Sequence, residues 1–216
     1  MKKTIFIFGL ILILINGTYG KDSNDPFFNE FHFSVNRTTL RNENTQDRYG
    51  FGFGVYHSFM SKKMVNIIFG IEYNRTSQFK KYMYEGHFAH STDVTYNLNC
   101  FSIPLGLRLN IGSKTKVFIE TGGFADIVIY SHKSGTYHSY QPGENNNINY
   151  FEKKIEGNAG LSNSVGVYIG LGVRIPISRF ELIIKPEYKY GIYKLYSYQD
   201  VILNRYFRIN IGLKIK

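Results

Sequence analysis

The chain places a histidine beside a serine at four points, and these are the side chains of a general base and a nucleophile. The four pairs are His57-Ser58, His90-Ser91, Ser131-His132 and His138-Ser139. Within a strand, adjacent side chains point to opposite faces and cannot form the hydrogen bond that activates a serine. The sequence also lacks Gly-x-Ser-x-Gly, His-Glu-x-x-His and Cys-x-x-Cys. We therefore expect no enzymatic activity, and we keep a lipid hydrolase acting through these serines as an alternative.

Metal and cofactor chemistry has little support in the sequence. His87 and His90 are close enough to share an ion, but two imidazoles alone make a weak site. Cys100 is the sole cysteine, so no internal disulfide can form. We expect no metal and no cofactor.

A second set of ionisable residues lies opposite the apolar face of several stretches. Its members are Glu72, Arg108, Glu120, Arg174, Glu181, Lys185, Glu187, Arg208 and Lys214. If these side chains point into a barrel they must pair, because an isolated buried charge is prohibitively costly. Glu187 with Arg174 or Arg208 is one such pairing. We interpret the set as a polar network that fills the interior and fixes strand register, with a gated ion or proton path as the alternative.

The elements that would position these charges are strands in which every second residue is apolar. Within 165–175, the odd-numbered residues are Val, Ile or Leu, whereas the even-numbered ones are Gly, Tyr168 or Arg174. An apolar face opposite glycine and charge suits a wall with lipid outside and a narrow polar interior. Eight such stretches occur, at 27–36, 48–59, 64–75, 95–111, 116–130, 165–175, 180–191 and 204–216. The fifth is the least regular, since Gly123 and Phe124 interrupt the alternation.

The connections between these stretches alternate in length. Three are tight, at 60–63, 112–115 and 178–179, and four are long, at about 37–47, 76–94, 131–158 and 192–203. Short turns on one side and long loops on the other are typical of outer-membrane barrels. The predicted fold is all-β: an eight-stranded antiparallel up-and-down transmembrane β-barrel with short periplasmic turns and long extracellular loops.

Aromatic residues gather near the predicted strand ends, where the girdles of a membrane barrel lie. On the long-loop side we expect a girdle of Tyr73, Tyr96, Tyr130, Tyr190 and Tyr206. On the short-turn side we expect Phe27, Phe28, Phe59 and Phe180. General enrichment of aromatic residues in strands is the alternative explanation.

Residues 1–20 have the pattern of a cleaved signal peptide. Lys2 and Lys3 precede an apolar run at 5–15, and Thr18 and Gly20 supply small residues before a cut at Lys21. The run has eleven residues, too few for a membrane helix, which needs about 20. The predicted mature barrel domain is residues 21–216, located in the cell outer membrane.

The chain is basic, with 26 Lys and Arg against 16 Asp and Glu and a net charge of +10. An exported chain rarely meets nucleic acid, so we expect none as a partner. The expected partners are outer-membrane lipid and lipopolysaccharide, the barrel assembly machinery during biogenesis, and an unknown surface ligand or partner protein.

Three patterns make the chain resemble the small outer-membrane β-barrel proteins of the porin-like, PorT-type family. They are Phe101-Ser-Ile-Pro-Leu-Gly-Leu-Arg-Leu109, Val117-Phe-Ile-Glu-Thr-Gly-Gly123 and Arg208-Ile-Asn-Ile-Gly-Leu-Lys-Ile215. The resemblance covers nearly all of the mature chain and implies a barrel fold, an outer-membrane location and a role in secretion or envelope assembly. One departure is the ending Ile215-Lys216, where such barrels usually carry an aromatic residue read by the assembly machinery.

Taken together, these features predict an integral outer-membrane barrel without enzymatic activity, which presents extracellular loops and supports envelope integrity or secretion and assembly. The alternative from another class is a secreted soluble β-barrel that carries a small apolar ligand, with its apolar face turned inward. Gly50, Gly52 and Gly54 argue against this carrier, because a solvated face of glycines would weaken the strand for no gain.

Overall fold

The computed structural model describes residues 27–38, 45–60, 63–142, 147–196 and 202–215, which form ten strands. The strands are β1 (Glu30–Thr38), β2 (Thr45–Gln46), β3 (Arg48–Phe59), β4 (Val65–Gly86), β5 (Ala89–Ile111), β6 (Lys116–Pro142), β7 (Ile148–Asn158), β8 (Ser164–Ile177), β9 (Phe180–Tyr196) and β10 (Ile202–Ile215). The predicted signal peptide, 1–20, lies outside the described residues. No helix among the described residues has the length and hydropathy needed to cross a bilayer.

Eight of the ten strands close into a ring. The order is β1-β3-β4-β5-β6-β8-β9-β10, and β10 pairs with β1 to complete it. All neighbours are antiparallel, and β2 and β7 are additions that pair with β4 and β6 respectively. The predicted eight-stranded antiparallel up-and-down barrel is therefore confirmed.

Burial alternates residue by residue along the ring strands, as the sequence pattern predicted. Leu105 on β5 and Ile169 on β8 are 57% and 56% exposed on the outer face. The intervening positions, such as Arg108 and Lys185, are fully buried in the interior. On β6, Val117 and Ile119 face outward while Phe118 and Glu120 face inward, so the parity expected for this irregular strand also holds.

The strands on the long-loop side run further than the sequence predicted. The segments 76–94 and 131–158 were expected to be loops, but most of their residues belong to β4, β5, β6 and β7. Apolar and polar residues alternate only weakly there, so the period-2 signal fades while backbone pairing continues. The four strands form a continuous extension of the barrel wall.

The three tight turns lie where the sequence placed them. Met60, Gly112 and Ser178 adopt positive φ values of 54°, 111° and 49°, which let the chain reverse within a few residues. The N–H of Lys63 donates to the carbonyl oxygen of Met60 at 2.8 Å and closes the first turn. All three turns lie at the same end of the barrel.

The inward glycines accommodate aromatic rings on neighbouring strands. A Cβ on Gly70 would collide with the ring of Tyr56, and one on Gly172 would collide with the ring of Phe118. Gly170 instead leaves room for a lysine, since a Cβ there would lie 3.3 Å from the Lys185 side chain, but ring packing is the commoner use.

An apolar cluster closes the interior at the end opposite the tight turns. It consists of Met83, Val94, Tyr96, Leu98, Ala159, Leu161 and Leu195. The segment after β7 supplies Ala159 and Leu161, and the N–H of Leu161 donates to the Ser131 hydroxyl at 3.4 Å. Tyr96 and Tyr206, expected in the outer aromatic girdle, are instead buried inside. The sequence-based assignment was wrong for these two because their even numbers give them inward parity on β5 and β10.

Candidate functional site

The barrel interior contains a continuous chain of nine side chains with alternating charge. In order they are Lys214, Glu30, Arg108, Glu120, Lys185, Glu187, Arg208, Glu72 and Lys189. Each member lies within 3.4 Å of an oppositely charged neighbour. We call this set the charge chain.

The first half of the charge chain is built around Arg108. Its Nη1 and Nη2 atoms donate to the two carboxylate oxygens of Glu30 at 2.8 and 3.0 Å. Its Nε atom donates to Glu120 at 2.6 Å. The guanidinium also lies 4.6 Å from the centre of the Phe118 ring. Bidentate pairing on one side and ring stacking on another fix this arginine in a single orientation.

Lys185 joins the two halves of the chain. Its Nζ atom lies 2.8 Å from a carboxylate oxygen of Glu120 and 2.7 Å from one of Glu187. Glu187 in turn lies 2.5 Å from Nη2 of Arg208. The lysine therefore shares its charge between two carboxylates on different strands, β6 and β9.

The second half of the charge chain converges on Glu72. Arg208 donates to both of its carboxylate oxygens at 2.7 Å, and Lys189 donates at 2.6 Å. The Tyr56 hydroxyl and the Asn74 amide add hydrogen bonds of 2.5 and 2.9 Å. Five donor contacts compensate the desolvation of this one carboxylate.

Two predicted interior residues, Arg174 and Glu181, form a side branch near the tight turns. Arg174 lies 3.4 Å from Glu30 and 3.6 Å from Glu181. Of the two partners anticipated for Glu187, the structure pairs it with Arg208. His32 also contacts Glu30, at 3.4 Å. Glu30 thus gathers several cationic or protonatable groups at the end of the barrel where the turns are.

Sequence reasoning missed two members of the charge chain, Glu30 and Lys189. Both share the parity of recognised inward residues, since Glu30 precedes His32 by two positions and Lys189 follows Glu187 by two. Glu30 was overlooked because it lies at the first residue of β1. The parity signal was present for both and could have identified them.

The charge chain joins several strands of the ring. Its members come from six strands of the ring, and four of the eight contacts between them join strands that are not neighbours. Paired ions held in bidentate and shared contacts stabilise one register and do not present a free nucleophile or base. The described lumen is filled by side chains, as expected for a barrel of eight strands.

Among the described residues, the neighbouring serines and histidines share no hydrogen bond. Ser58 accepts a hydrogen bond from Asn66, and Ser91 and Ser131 donate to Glu85 and Asn158. Within the described ranges no group of three or more His, Cys, Asp or Glu side chains could hold a metal ion.

The histidines of the strand extension form part of a row of stacked rings. Tyr82 stacks on His90 at 5.0 Å, His90 on His138 at 4.8 Å, and His138 on Tyr150 at 5.9 Å between ring centres. Nε2 of His138 lies 2.9 Å from the Thr92 hydroxyl. Partial desolvation and a hydrogen bond to Glu152 raise the pKa of Tyr150. The stacked rings therefore connect β4, β5, β6 and β7 across the extension.

No family model matches the chain, and no curated protein matches it. Among solved structures, Neisserial surface protein A is 12% identical with a TM-score of 0.44, covering 88% of this chain and 97% of its own. The N-terminal β-barrel domain of Pseudomonas aeruginosa OprF is 10% identical with a TM-score of 0.33, covering 87% and 97%. The Yersinia pestis outer membrane protein Ail is 14% identical with a TM-score of 0.37, covering 87% and 99%. At this level the likeness carries no argument about function. The chain's own strand pairing establishes it as a closed, eight-stranded antiparallel β-barrel.

Proposed function

We propose that the protein is an integral outer-membrane barrel, closed to solutes and without enzymatic activity, which anchors a stiff extracellular β-sheet. One observation carries the proposal: nine paired charges lie inside the ring while its outer face is apolar. A barrel in water would require the reverse arrangement. A charged interior and an apolar exterior are what a β-barrel surrounded by lipid requires.

The outer face has the dimensions of a bilayer core. On β8, every outward residue from Val165 to Ile177 is Val, Ile or Leu. Twelve residue steps at a strand tilt near 40° give a height of about 30 Å. This matches the apolar thickness of a bilayer, about 25 to 30 Å.

The filled interior supports a barrel that does not conduct. The charge chain occupies the middle and the turn end, and the apolar cluster of Leu98, Leu161 and its neighbours lies above it. An ion entering from the long-strand end would have to cross that apolar cluster without hydration. The gated ion or proton path therefore ranks below the structural role of these charges.

The extension of β4 to β7 supports a presentation role. These strands continue the barrel wall beyond the apolar belt. The exposed rings of Tyr82, Tyr140 and Tyr150 lie on them, and that of Phe88 lies in the turn between β4 and β5. Rigid loops and sheets above a membrane are where barrels of this kind meet surface ligands or partner proteins. A role in secretion or envelope assembly, and membership of the PorT-type family, rest on the sequence resemblance and are part of this proposal.

The alternative of a soluble carrier conflicts with the geometry. It needs its apolar face inward around a ligand, whereas Arg108, Arg174 and Arg208 are among the largest fully buried side chains. The lipid hydrolase has no serine–histidine contact among the described residues to support it.

Fractionation combined with conductance recording tests the proposal. The protein should remain with envelopes in high salt, require detergent for extraction, and migrate faster on a gel when unheated than when boiled. In planar bilayers it should give no steady conductance, with a porin as the positive control. Release by salt would support the soluble carrier, and stable open channels would contradict the closed interior.

A further inference from the structure

One flank of the barrel carries a row of basic and aromatic side chains just above the apolar belt. The row consists of Arg75 on β4, Tyr49 on β3, Arg37 on β1 and Arg205 on β10, four consecutive strands of the ring. We call it the basic row. Arg37, Tyr49 and Arg75 are exposed on the outer face, with Tyr49 69% exposed, and Arg205 is half-buried.

The strand register places the members of the row at a similar height. Arg37 faces Tyr49 on β3 and Phe207 on β10, and Arg75 faces Phe51. Because the strands tilt by about 40° from the barrel axis, residues at equal height on neighbouring strands are not register partners. They are offset along the strand by about 4 Å, a little over one residue, at each step from strand to strand. Arg75 is displaced by two residues from the register position that matches Tyr49, and Arg205 by two residues from the register partner of Arg37. Both displacements are in the directions that this tilt requires for equal height.

The three arginines have unequal protein partners. Arg205 stacks on Tyr190 at 3.8 Å and donates to its hydroxyl at 2.5 Å, so its guanidinium is held against the barrel surface. Arg37 donates from Nε to Asp47 at 3.0 Å. Within the part of the chain that the structure describes, the guanidinium of Arg75 has no ion-pair partner. Fixed and free guanidinium groups side by side are suited to an anionic ligand.

Directly below the row lies an aromatic surface on the same flank. The rings of Phe51 and Phe53 lie 6.3 and 5.3 Å from that of Tyr73, and Tyr73 lies 6.2 Å from Phe101. On the neighbouring strands β5 and β6, the outward residues near the height of the row are Asn97, Asn99 and Tyr130. The basic character is therefore confined to one side of the barrel.

We propose that the basic row binds the phosphates of a bisphosphorylated, multiply acylated glycolipid, whose acyl chains lie over Phe51, Phe53 and Tyr73. The inference rests on the proposed membrane location. The row extends over three interstrand steps, at least about 14 Å. That length exceeds one phosphate and suits two phosphates on a disaccharide-sized headgroup. The exposed ring of Tyr49, between Arg75 and Arg37, offers a surface for the sugar.

Lipid binding to the purified, detergent-solubilised protein tests this assignment by native mass spectrometry. The probes are bisphosphorylated lipid A, the same glycolipid after removal of its phosphates, and phosphatidylglycerol. The variant is Arg75→Gln with Arg205→Gln. Its matched control is Lys63→Gln with Arg179→Gln, two exposed basic residues at the tight-turn end.

The wild type and the control should bind bisphosphorylated lipid A equally. The double arginine variant should bind it about 100-fold more weakly, since each charge-assisted contact contributes about tenfold or more. Removal of the phosphates should produce a similar loss. The assignment would be overturned if the arginine variant bound bisphosphorylated lipid A as tightly as the wild type does. It would also be overturned if the control variant lost as much affinity as the arginine variant, or if the wild type bound phosphatidylglycerol as tightly as lipid A. Heat-modifiable migration of every protein separates this failure from failure of the barrel proposal itself.

Discussion

Arg208 and Glu72 face each other across the barrel interior, with both guanidinium Nη atoms 2.7 Å from the carboxylate oxygens. Their strands, β10 and β4, are separated in the ring by β1 and β3. Backbone hydrogen bonds join neighbouring strands, so this ion pair adds a connection that the sheet itself does not provide. The contact between Arg108 on β5 and Glu30 on β1 is of the same kind.

Removal of Arg208 should strongly destabilise the barrel. Arg208→Met leaves Glu72 and Glu187 with one cationic partner fewer in a buried site, and we expect a loss of about 3 to 5 kcal/mol. Urea unfolding in lipid vesicles, followed by gel migration, measures it. Lys153→Met on the exposed surface of β7 is the control and should change the free energy of unfolding by less than about 0.5 kcal/mol. A similar small change for Arg208→Met would contradict the role given to this pair.

The matched loss of both charges should be milder than the loss of one. In Glu72→Gln with Arg208→Met, position 72 no longer carries a charge that lacks its arginine, although Glu187 still loses Arg208 and Lys189 loses its carboxylate. We expect the two effects to be non-additive by about 1 to 3 kcal/mol in a double-mutant cycle. Strict additivity would show that the two side chains act independently.

Glu30 should matter more than Glu181, although both lie near the tight turns. Glu30 contacts Arg108, Arg174 and Lys214, whereas Glu181 contacts Arg174 alone at 3.6 Å. Glu30→Gln leaves three cations near a neutral group and should cost about 3 kcal/mol or more. Glu181→Gln, whose side chain is partly exposed, should cost less than about 1 kcal/mol. The reverse order in urea unfolding would argue against Glu30 as the centre of this cluster.

Alanine at inward glycines should disturb ring packing. Gly172→Ala would drive a methyl group into the Phe118 ring, and Gly70→Ala would do the same at Tyr56. Each should destabilise the barrel by about 1 to 3 kcal/mol. Gly157→Ala on β7 is the control, because a Cβ there meets no atom within 4 Å. Equal stability of all three variants would refute the packing explanation.

Spin labels should report lipid at the outer face. With Cys100 replaced by serine, labels at Leu105→Cys and Ile169→Cys should be reached by oxygen and protected from a water-soluble nickel reagent. A label at Lys153→Cys, on the exposed extension, should show the opposite preference. Contact of the first two labels with water would reverse the orientation proposed for the whole barrel.

The sequence predicted the ring strands well because their two faces meet different media. From Val165 to Ile175 the contrast between outward apolar residues and inward residues is unbroken, and the observed β8 departs from the predicted stretch by one residue at the start and two at the end. Beyond the belt, around Tyr82 and His138, apolar and polar residues alternate only weakly, and the strand continuation was taken for a loop.

Parity predicted seven of the nine members of the charge chain, and one of its pairs, Glu187 with Arg208, was anticipated. Parity assigned Glu72, Arg108 and Arg208 to the interior. Which acid meets which base depends on shear and strand tilt, which bring β4 opposite β10 and which no local pattern encodes. Tyr206 shows the same limit: its type suggested a girdle, and its register turned it inward.

The crossing ion pairs also constrain the order of assembly. While the sheet is flat, Glu72 cannot reach Arg208 and Glu30 cannot reach Arg108, so a partly built wall would bring bare ions into contact with hydrocarbon. In the proposed outer-membrane setting, curling of the chain must therefore accompany or precede its entry into the lipid, and closure of the sheet between β1 and β10 brings these ions together. The interior thereby favours insertion as a finished cylinder over insertion strand by strand.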